Sequence, residues 1–217
     1  MADFTLTIGN KNYSSWSLRA WLACRLAGCD FEEVVIPLRE KGSREAILKV
    51  SPSGKVPALT HDRVTVWDSL AICEYLAECF PDARLWPKDP AARAMARAVS
   101  AEMHAGFPDL RRNMPMNIRA TLTGKGMTAE VQADINRVTA LWRDCRKRFS
   151  GGADFLFGDV TIADAMFAPL ISRFYTYGVE MDSDSKSYAE AVWALPDLQE
   201  WIVEAKKEPW IVPAFEL

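Results

Sequence analysis

Two adjacent serines, Ser14 and Ser15, stand where an alternating strand pattern gives way to a helical one, in the segment NYSSWSLR at residues 12–19. Backbone N–H groups at a helix start have no partners within the helix, and together with the helix dipole they favour a bound anion such as a thiolate. A serine hydroxyl there can donate one more hydrogen bond. Serine is also a favoured helix cap, so the pair alone does not distinguish catalysis from capping.

Pro57 lies at the start of a predicted strand, in the segment SGKVPAL at residues 53–59. A proline in this position can hold a cis peptide bond, which would leave the N–H and C=O groups of Val56 facing outward to pair with a peptide-like ligand. A simple turn followed by an edge-strand proline explains the same residues. The segment is therefore a candidate ligand contact with a structural alternative.

Asp68 and Ser69 stand at the start of a further predicted helix. The serine hydroxyl, the free N–H groups of the first turn and the helix dipole would suit a carboxylate, whereas the aspartate side chain would suit an ammonium group. An ordinary helix N-cap explains the pair equally well. The pair is a candidate site for a ligand that carries both kinds of charge.

The elements that must position these residues follow from the hydrophobic patterns near the N-terminus. Alternation predicts a strand over residues 4–8, and leucines at four-residue spacing predict a helix over residues 15–26. A β-branched run predicts a second strand over residues 31–38, so the chain begins with a β-α-β unit and a parallel pair of strands. The order β-α-β-α-β-β-α is completed by a helix over residues 43–50, a hairpin with strands 56–59 and 64–67, and a helix after Asp68.

A proline-rich segment divides the chain. Residues 81–90 contain three prolines and predict a linker between a first domain over residues 1–80 and a second over residues 91–217. The second domain reads as helical throughout. A helical pattern runs from Pro90 to Leu110, and a helix is predicted from Thr128 to Phe149. A capping box at Thr161 and Asp164 begins a buried helix, which Pro169 kinks. Two further helices are predicted over residues 186–194 and 198–206.

Composition narrows the possible functions. The chain has 26 basic and 29 acidic residues and no basic cluster interleaved with aromatics, so we expect no nucleic-acid partner. Five cysteines without a C-x-x-C motif predict reduced, structural thiols. Only His61 and His104 are present, with no spaced Cys/His set, so no metal site is predicted. The absence of a signal-peptide pattern and of a long apolar run predicts a cytoplasmic protein that does not enter a membrane.

Taken together, the three segments resemble the soluble glutathione transferases. The matching motifs are Ser-Ser-x-Ser-x-Arg, Gly-Lys-Val-Pro-Ala-Leu and Asp-Ser-Leu-Ala-Ile-x-Glu-Tyr-Leu, in that order. The segment GDVTIAD at residues 158–164 is similar to the N-capped helix of that family's second domain. In character the sequence is closest to the serine-type, zeta-like members. The resemblance implies a thioredoxin-like α/β domain with a mixed four-stranded sheet, an all-α bundle domain and a homodimer.

The resemblance also implies the chemistry of the two serines. Ser14 matches the family's thiolate-stabilising position, with Ser15 as the close alternative. Its hydroxyl would donate to the sulfur of glutathione, the co-substrate, and lower the pKa of that thiol. The thiolate would then attack a small, hydrophobic electrophile held between the two domains. We therefore expect a glutathione transferase of the detoxifying kind.

The rest of the tripeptide would be held by the other two segments. Val56 would pair its backbone with the cysteinyl part, beside Pro57 as the family's cis-proline. Asp68 and Ser69 would hold the γ-glutamyl end. The glycyl carboxylate would meet a basic group, for which the sequence offers three candidates that it does not rank, namely Arg39, Lys41 and Lys55.

One position departs from the zeta-type pattern. Trp16 stands where that signature has a cysteine, which argues against maleylacetoacetate isomerase activity. Trp16 could line the substrate pocket or simply pack on the first helical turn. His104 could contact substrate or be a packing residue. The pair Arg111 and Arg112 could bind an acidic co-substrate or form a solvated helix end.

Three other functions are compatible with the same residues to different degrees. A non-catalytic glutathione-binding or scaffold protein would keep the fold and the tripeptide site without turnover. A glutathione-dependent isomerase would use the same thiolate differently. A disulfide reductase is disfavoured, because Ser and Trp occupy the helix start where such enzymes need a cysteine of low pKa.

Overall fold

Four strands form a mixed sheet in the N-terminal part of the chain. The computed structural model describes residues 3–216. Strand β1 (Phe4–Ile8) pairs in parallel with β2 (Phe31–Val35) and antiparallel with β3 (Ala58–His61). Strand β3 also pairs antiparallel with β4 (Val64–Trp67), so the order across the sheet is β2-β1-β3-β4. The mixed four-stranded sheet of the sequence prediction is confirmed. Its elements are β1 (Phe4–Ile8), α1 (Ser15–Leu26), β2 (Phe31–Val35), α2 (Ser43–Leu48), β3 (Ala58–His61), β4 (Val64–Trp67) and α3 (Ser69–Cys79).

Helices make up the rest of the described chain, as predicted. A short 3₁₀ turn at Pro81–Ala83 leads into them. None of the helices within residues 3–216 has the length and apolarity that a membrane crossing requires. The division of the chain into two domains with a linker stays a prediction. The elements are α4 (Pro90–Ala105), α5 (Pro108–Asn113), α6 (Ala129–Phe149), α7 (Ile162–Tyr177), α8 (Ser183–Trp193) and α9 (Pro196–Lys207).

Helix α1 connects the sheet to the helical part. Leu18, Trp21 and Leu22 are buried in the core, and the helix packs against α3, α7 and α9. It ends at Leu26, and Gly28 has a φ of 67° that lets the N–H of Cys29 donate back to the carbonyl of Cys24 at 3.0 Å. With its body buried on several sides, α1 has one end available to a ligand, the N-terminal end.

Several boundaries differ from the prediction for local reasons. Strand β2 ends at Val35 rather than Leu38, and β3 begins at Ala58 rather than Val56, because Pro57 has no N–H to donate to a ladder. The helical pattern expected to continue to Leu110 breaks after Ala105. Residue 107 has a φ of 61°, and the proline that follows it disfavours helical backbone at this position.

The capping box of α7 is confirmed. Thr161 and Asp164 bond reciprocally, with the Thr161 N–H 2.8 Å from the aspartate. The buried carboxylate also accepts from the Leu156 N–H at 3.3 Å and the Tyr188 hydroxyl at 3.1 Å. Pro169 does not end the helix, which continues to Tyr177. Asp164 therefore joins α7 to α8 and to the loop before α7.

We predict that Asp164→Ala lowers the free energy of unfolding by about 3 kcal/mol, because it leaves several buried donors without an acceptor. Asp89 offers the matched control, since it caps α4 through one hydrogen bond of 2.8 Å to the Ala92 N–H at an exposed position. Asp89→Ala should cost only about 1 kcal/mol. Urea denaturation measures both values, and equal losses would contradict the prediction.

The cysteines give a second prediction. Cys24, Cys73 and Cys145 are buried, and burial raises the pKa of Cys73 and of Cys145 to about 12, whereas Cys79 is exposed. A maleimide at pH 7 should therefore modify Cys79 first in the folded protein, and Cys24, Cys73 and Cys145 only after denaturation. Mass spectrometry of timed samples gives the order. Rapid modification of Cys73 in the native state would show that α3 is less tightly packed than described.

Candidate functional site

A cleft with two adjoining lobes opens at the N-terminus of α1. The serine lobe, with a volume of about 420 Å³, lies between the N-terminal part and the helices, and the aspartate lobe, of about 560 Å³, lies beside the start of α3. Trp16, Lys55 and Val56 line both lobes. Other residues that line the serine lobe include Ser14, Ser15, Arg39, Arg111 and Arg173; those that line the aspartate lobe include Pro57, Asp68, Ser69 and His104.

The two serines have different hydrogen bonds. Ser14 is the N-cap of α1, accepting the Ser17 N–H at 3.4 Å and donating its hydroxyl to the Ser17 hydroxyl oxygen at 2.7 Å. Ser15 is 5% exposed, and its hydroxyl makes no hydrogen bond to any residue between 3 and 216. The Ser14 proton is thus committed to the cap, while the Ser15 hydroxyl remains available to a ligand in the serine lobe.

The segment around Pro57 reaches the cleft. The Val56–Pro57 peptide bond is cis, as predicted. Two of the three basic candidates for a carboxylate also line the cleft: Lys55 lines both lobes, and Arg39 lines the serine lobe with its guanidinium carbon 4.9 Å from the centre of the Phe215 ring. Lys41 is exposed and does not line either lobe.

Asp68 and Ser69 are positioned by the start of α3. Asp68 Oδ1 accepts the N–H groups of Leu70 at 2.9 Å and Ala71 at 3.4 Å, which is the N-cap role considered from the sequence. Its backbone has a φ of 76°, a value that costs a non-glycine residue about 1–3 kcal/mol. Ser69 is 1% exposed, and its hydroxyl has no partner within the described part of the chain. Both residues line the aspartate lobe.

Trp16 separates the lobes and is surrounded by positive charge. Its ring centre lies 4.6 Å from the guanidinium carbon of Arg19 and 5.1 Å from that of Arg111, within the range of cation–π attraction. The His104 ring meets it edge-on at 4.9 Å. Trp16 is half-buried, so it both packs on α1 and lines the cleft.

Three guanidiniums near the cleft lack an acidic partner. Arg19, Arg111 and Arg173 donate to backbone carbonyls, among them Met166, Gly106 and Met114. Within residues 3–216 no carboxylate lies at ion-pair distance from any of them, and both terminal nitrogens of fully buried Arg19 have no partner there. Burial, and then the charge of Arg111, lowers the pKa of Arg173 to about 9, so it remains charged at pH 7.

Sequence reasoning missed Arg173 and gave Arg19 no role. The available signal was a charged residue within the apolar run of α7, since buried charges are rare without a reason. Of the pair considered from the sequence, Arg111 lines the serine lobe, whereas Arg112 has a side chain that is 75% exposed beside Asp109. The solvated-end interpretation therefore describes Arg112 and not Arg111.

His104 bridges the cleft to Asp68. Its Nε2 lies 3.1 Å from Asp68 Oδ2, so α4 and the start of α3 meet through this pair. Burial is the largest cause of a lowered His104 pKa; Asp68 acts in the opposite direction, and Arg19 and Arg111 add to the lowering. The imidazole is therefore mainly neutral at pH 7 and donates its proton to Asp68.

The C-terminal segment forms a further wall of the serine lobe, which no sequence pattern predicted. Val212 and Phe215 line the serine lobe. Glu208 accepts the N–H groups of Lys11 at 2.6 Å and Asn12 at 3.0 Å, just ahead of the two serines. No cysteine lines either lobe, and no group of three His, Cys, Asp or Glu in the described range could hold a metal ion.

Comparisons with known proteins agree with this geometry. The glutathione S-transferase N-terminal domain model matches residues 13–79. The probable maleylacetoacetate isomerase of Caenorhabditis elegans is 33% identical over 169 residues, covering 77% of this chain and 78% of that protein. Glutathione S-transferase 1 of Dianthus caryophyllus is 40% identical over 172 residues, covering 77% of each.

A solved structure extends the comparison over nearly the whole chain. A glutathione transferase homolog from Burkholderia GL BGR1, with bound glutathione, is 26% identical with a TM-score of 0.73, and the match covers 96% of this chain and 100% of that one. The mixed four-stranded sheet, the cis-proline and the N-capped helix after Thr161 are those that the resemblance implied. On these sequence matches and this shared fold, the chain belongs to the glutathione S-transferase family.

Proposed function

We propose that the cleft binds glutathione and activates its thiol for attack on a small electrophile. The observation that carries the proposal is the free Ser15 hydroxyl at the N-terminus of α1, in the lobe that Val56 also lines. A thiolate placed there would accept from the hydroxyl and from the Trp16 N–H, which has no partner among residues 3–216, and both contacts would lower the pKa of the thiol. The family membership and the glutathione-bound neighbour support this proposal.

The proposed tripeptide site spans both lobes. The γ-glutamyl group would occupy the aspartate lobe, where Ser69 has an unpartnered hydroxyl for its carboxylate and Asp68 a charge for its ammonium group. The cysteinyl backbone would pair with Val56. Arg39 and Lys55 remain candidates for the glycyl carboxylate, because both line the serine lobe.

The electrophile is proposed to carry an acidic group. The sequence suggested a hydrophobic electrophile, and Pro115, Met116 and Val212 do line the serine lobe. Arg111 and Arg173 line it as well, however, and neither has an acidic partner among residues 3–216. Guanidiniums in a half-buried cleft attract carboxylates strongly. A small electrophile with an apolar body and a carboxylate would satisfy both kinds of contact.

Glutathione-dependent isomerisation is the second candidate. The names of several relatives favour it, among them the maleylacetoacetate isomerase of Rattus norvegicus, which is 31% identical over 77% of this chain. Trp16 opposes it, because an indole cannot replace the thiol of the zeta-type signature. A non-catalytic scaffold would bind glutathione without turning over any electrophile. A serine-type mechanism, a cytoplasmic location, a role in detoxification and a homodimer are likewise proposals.

The serine assignment gives a direct prediction. Ser15→Ala should lower kcat/KM with a halogenated aromatic electrophile by about 100-fold, because it removes a donor to the developing thiolate. The ultraviolet absorbance of the thiolate should titrate at higher pH in this variant. Both measurements use the wild-type protein as reference.

Ser14→Ala is the matched control. It should lower the free energy of unfolding by about 1 kcal/mol, as expected for a lost N-cap, and leave the pH at which the thiolate titrates nearly unchanged. The larger loss of activity in Ser14→Ala would reverse the assignment. Normal activity in both variants would reject a serine mechanism.

Arg111 and its neighbour test the acidic electrophile. We predict that Arg111→Gln weakens binding of a glutathione S-conjugate bearing a benzoate about tenfold, and binding of the matching benzamide conjugate by less than twofold. Arg112→Gln should change neither, since Arg112 lies outside the cleft lining. Inhibition constants give the comparison. Equal weakening of both conjugates would exclude a carboxylate contact at Arg111.

A further inference from the structure

His104 is the residue of the cleft whose contacts the proposed function does not explain. It belongs to α4 and lines the aspartate lobe, and its Nε2 lies 3.1 Å from Asp68 Oδ2. Its Nδ1 is buried and has no partner within the described chain. The ring is also held by its edge-on contact with Trp16. His104 therefore occupies one defined orientation between two cleft residues.

The two oxygens of Asp68 have separate partners. Oδ1 accepts N–H groups of the first turn of α3, and Oδ2 lies 3.1 Å from His104 Nε2. A carboxylate held through both oxygens keeps one rotamer and one direction. A ligand that approaches from the aspartate lobe would meet a fixed charge, because the helix start and the imidazole together prevent Asp68 from turning away.

The charge state of His104 decides what Asp68 offers. A protonated imidazole would cancel the aspartate charge and compete with any ligand cation. Burial is the largest cause of the lowered His104 pKa, and Arg19 and Arg111 add to it, whereas Asp68 itself favours protonation. A neutral ring donates one hydrogen bond from Nε2 and leaves the negative charge of Asp68 available to an ammonium group.

We propose that His104 is a positioning residue that orients the Asp68 carboxylate toward the ammonium group of the γ-glutamyl end of glutathione. This inference rests on the proposed function. It assigns to a residue of α4 that lines the aspartate lobe and not the serine lobe the selection of peptides that carry a free γ-glutamyl amine. The alternative is a structural contact between His104 and Asp68 that only holds α4 against α3.

The test compares two ligands and two variants. The ligands are glutathione and its glutaryl analogue, in which hydrogen replaces the α-amino group. His104→Leu removes the donor, whereas His104→Gln can place an amide N–H near the position of Nε2. Calorimetry on the full-length protein gives the dissociation constants, and thermal unfolding of each variant reports its folding.

In His104→Leu we expect binding of glutathione to weaken about tenfold and binding of the glutaryl analogue to change by less than twofold. His104→Gln should recover at least half of the lost discrimination. The KM for glutathione should rise in His104→Leu while kcat at saturating glutathione stays within twofold, because the thiol is activated at the other end of the tripeptide.

Two results would overturn the inference while leaving the proposed function intact. One is equal weakening of both ligands in His104→Leu, which indicates a purely structural contact, and the other is unchanged binding of both ligands. A wild-type protein that takes up neither ligand at millimolar concentration would overturn the proposed function and this inference with it.

Discussion

The cleft depends on the hydrogen bonds that join the end of β1 to the start of α1. The Ser17 hydroxyl oxygen accepts the N–H of Gly9 at 3.0 Å and the hydroxyl of Ser14 at 2.7 Å, so strand, cap and helix meet at one side chain. The body of α1 is buried, and the N–H groups of Ser15 and Ser17 are bound by Tyr13 and Ser14. The Trp16 N–H is the first-turn donor that has no partner among residues 3–216, and the join between β1 and α1 sets its direction.

Positive charge around Trp16 is the second constraint, and it is local. The chain as a whole has a formal charge of −3, yet Arg19, Arg111 and Arg173 gather beside the serine lobe without an acidic partner among residues 3–216. The electrostatic field of these three arginines acts in three ways. It would stabilise a thiolate at α1, it opposes protonation of His104, and it would attract an acidic electrophile. The same arginines therefore contribute to all three proposed features of the cleft, although burial is the larger influence on the His104 pKa.

Local patterns predicted the parts of the fold that local physics decides. Alternation and helical spacing gave the order of the strands and helices in the sheet domain, and the spacing of Thr161 and Asp164 gave the start of α7. The apolar stripe of α4 misled the prediction of where this helix ends. The stripe continues beyond Ala105, whereas the backbone leaves the helical conformation ahead of Pro108. A hydrophobic pattern reports which face is buried and does not by itself report where the backbone turns.

The candidate site was predictable only in part for a related reason. Motifs identified both serines, but the choice between them depends on which one caps α1. A shift of the helix start by one residue would exchange their positions, and the motifs do not locate the start that closely. The pairing of His104 with Asp68 joins residues far apart in the chain, and no spacing rule connects them. To identify Arg173 as a cleft residue, one must know which side of α7 faces the cleft.

The segment that leads into the serines is itself shaped by distant parts of the chain. Asn12 donates from its side-chain amide to Asn117 at 2.9 Å and accepts the Arg119 N–H at 2.9 Å, while its own N–H is bound by Glu208. The helical part thus fixes the loop from which α1 starts, as well as supplying arginines to the cleft. A misplacement of about 1 Å can lower a reaction rate a hundredfold. The proposed activation of a thiol at the start of α1 therefore depends on these contacts as much as on the serines themselves.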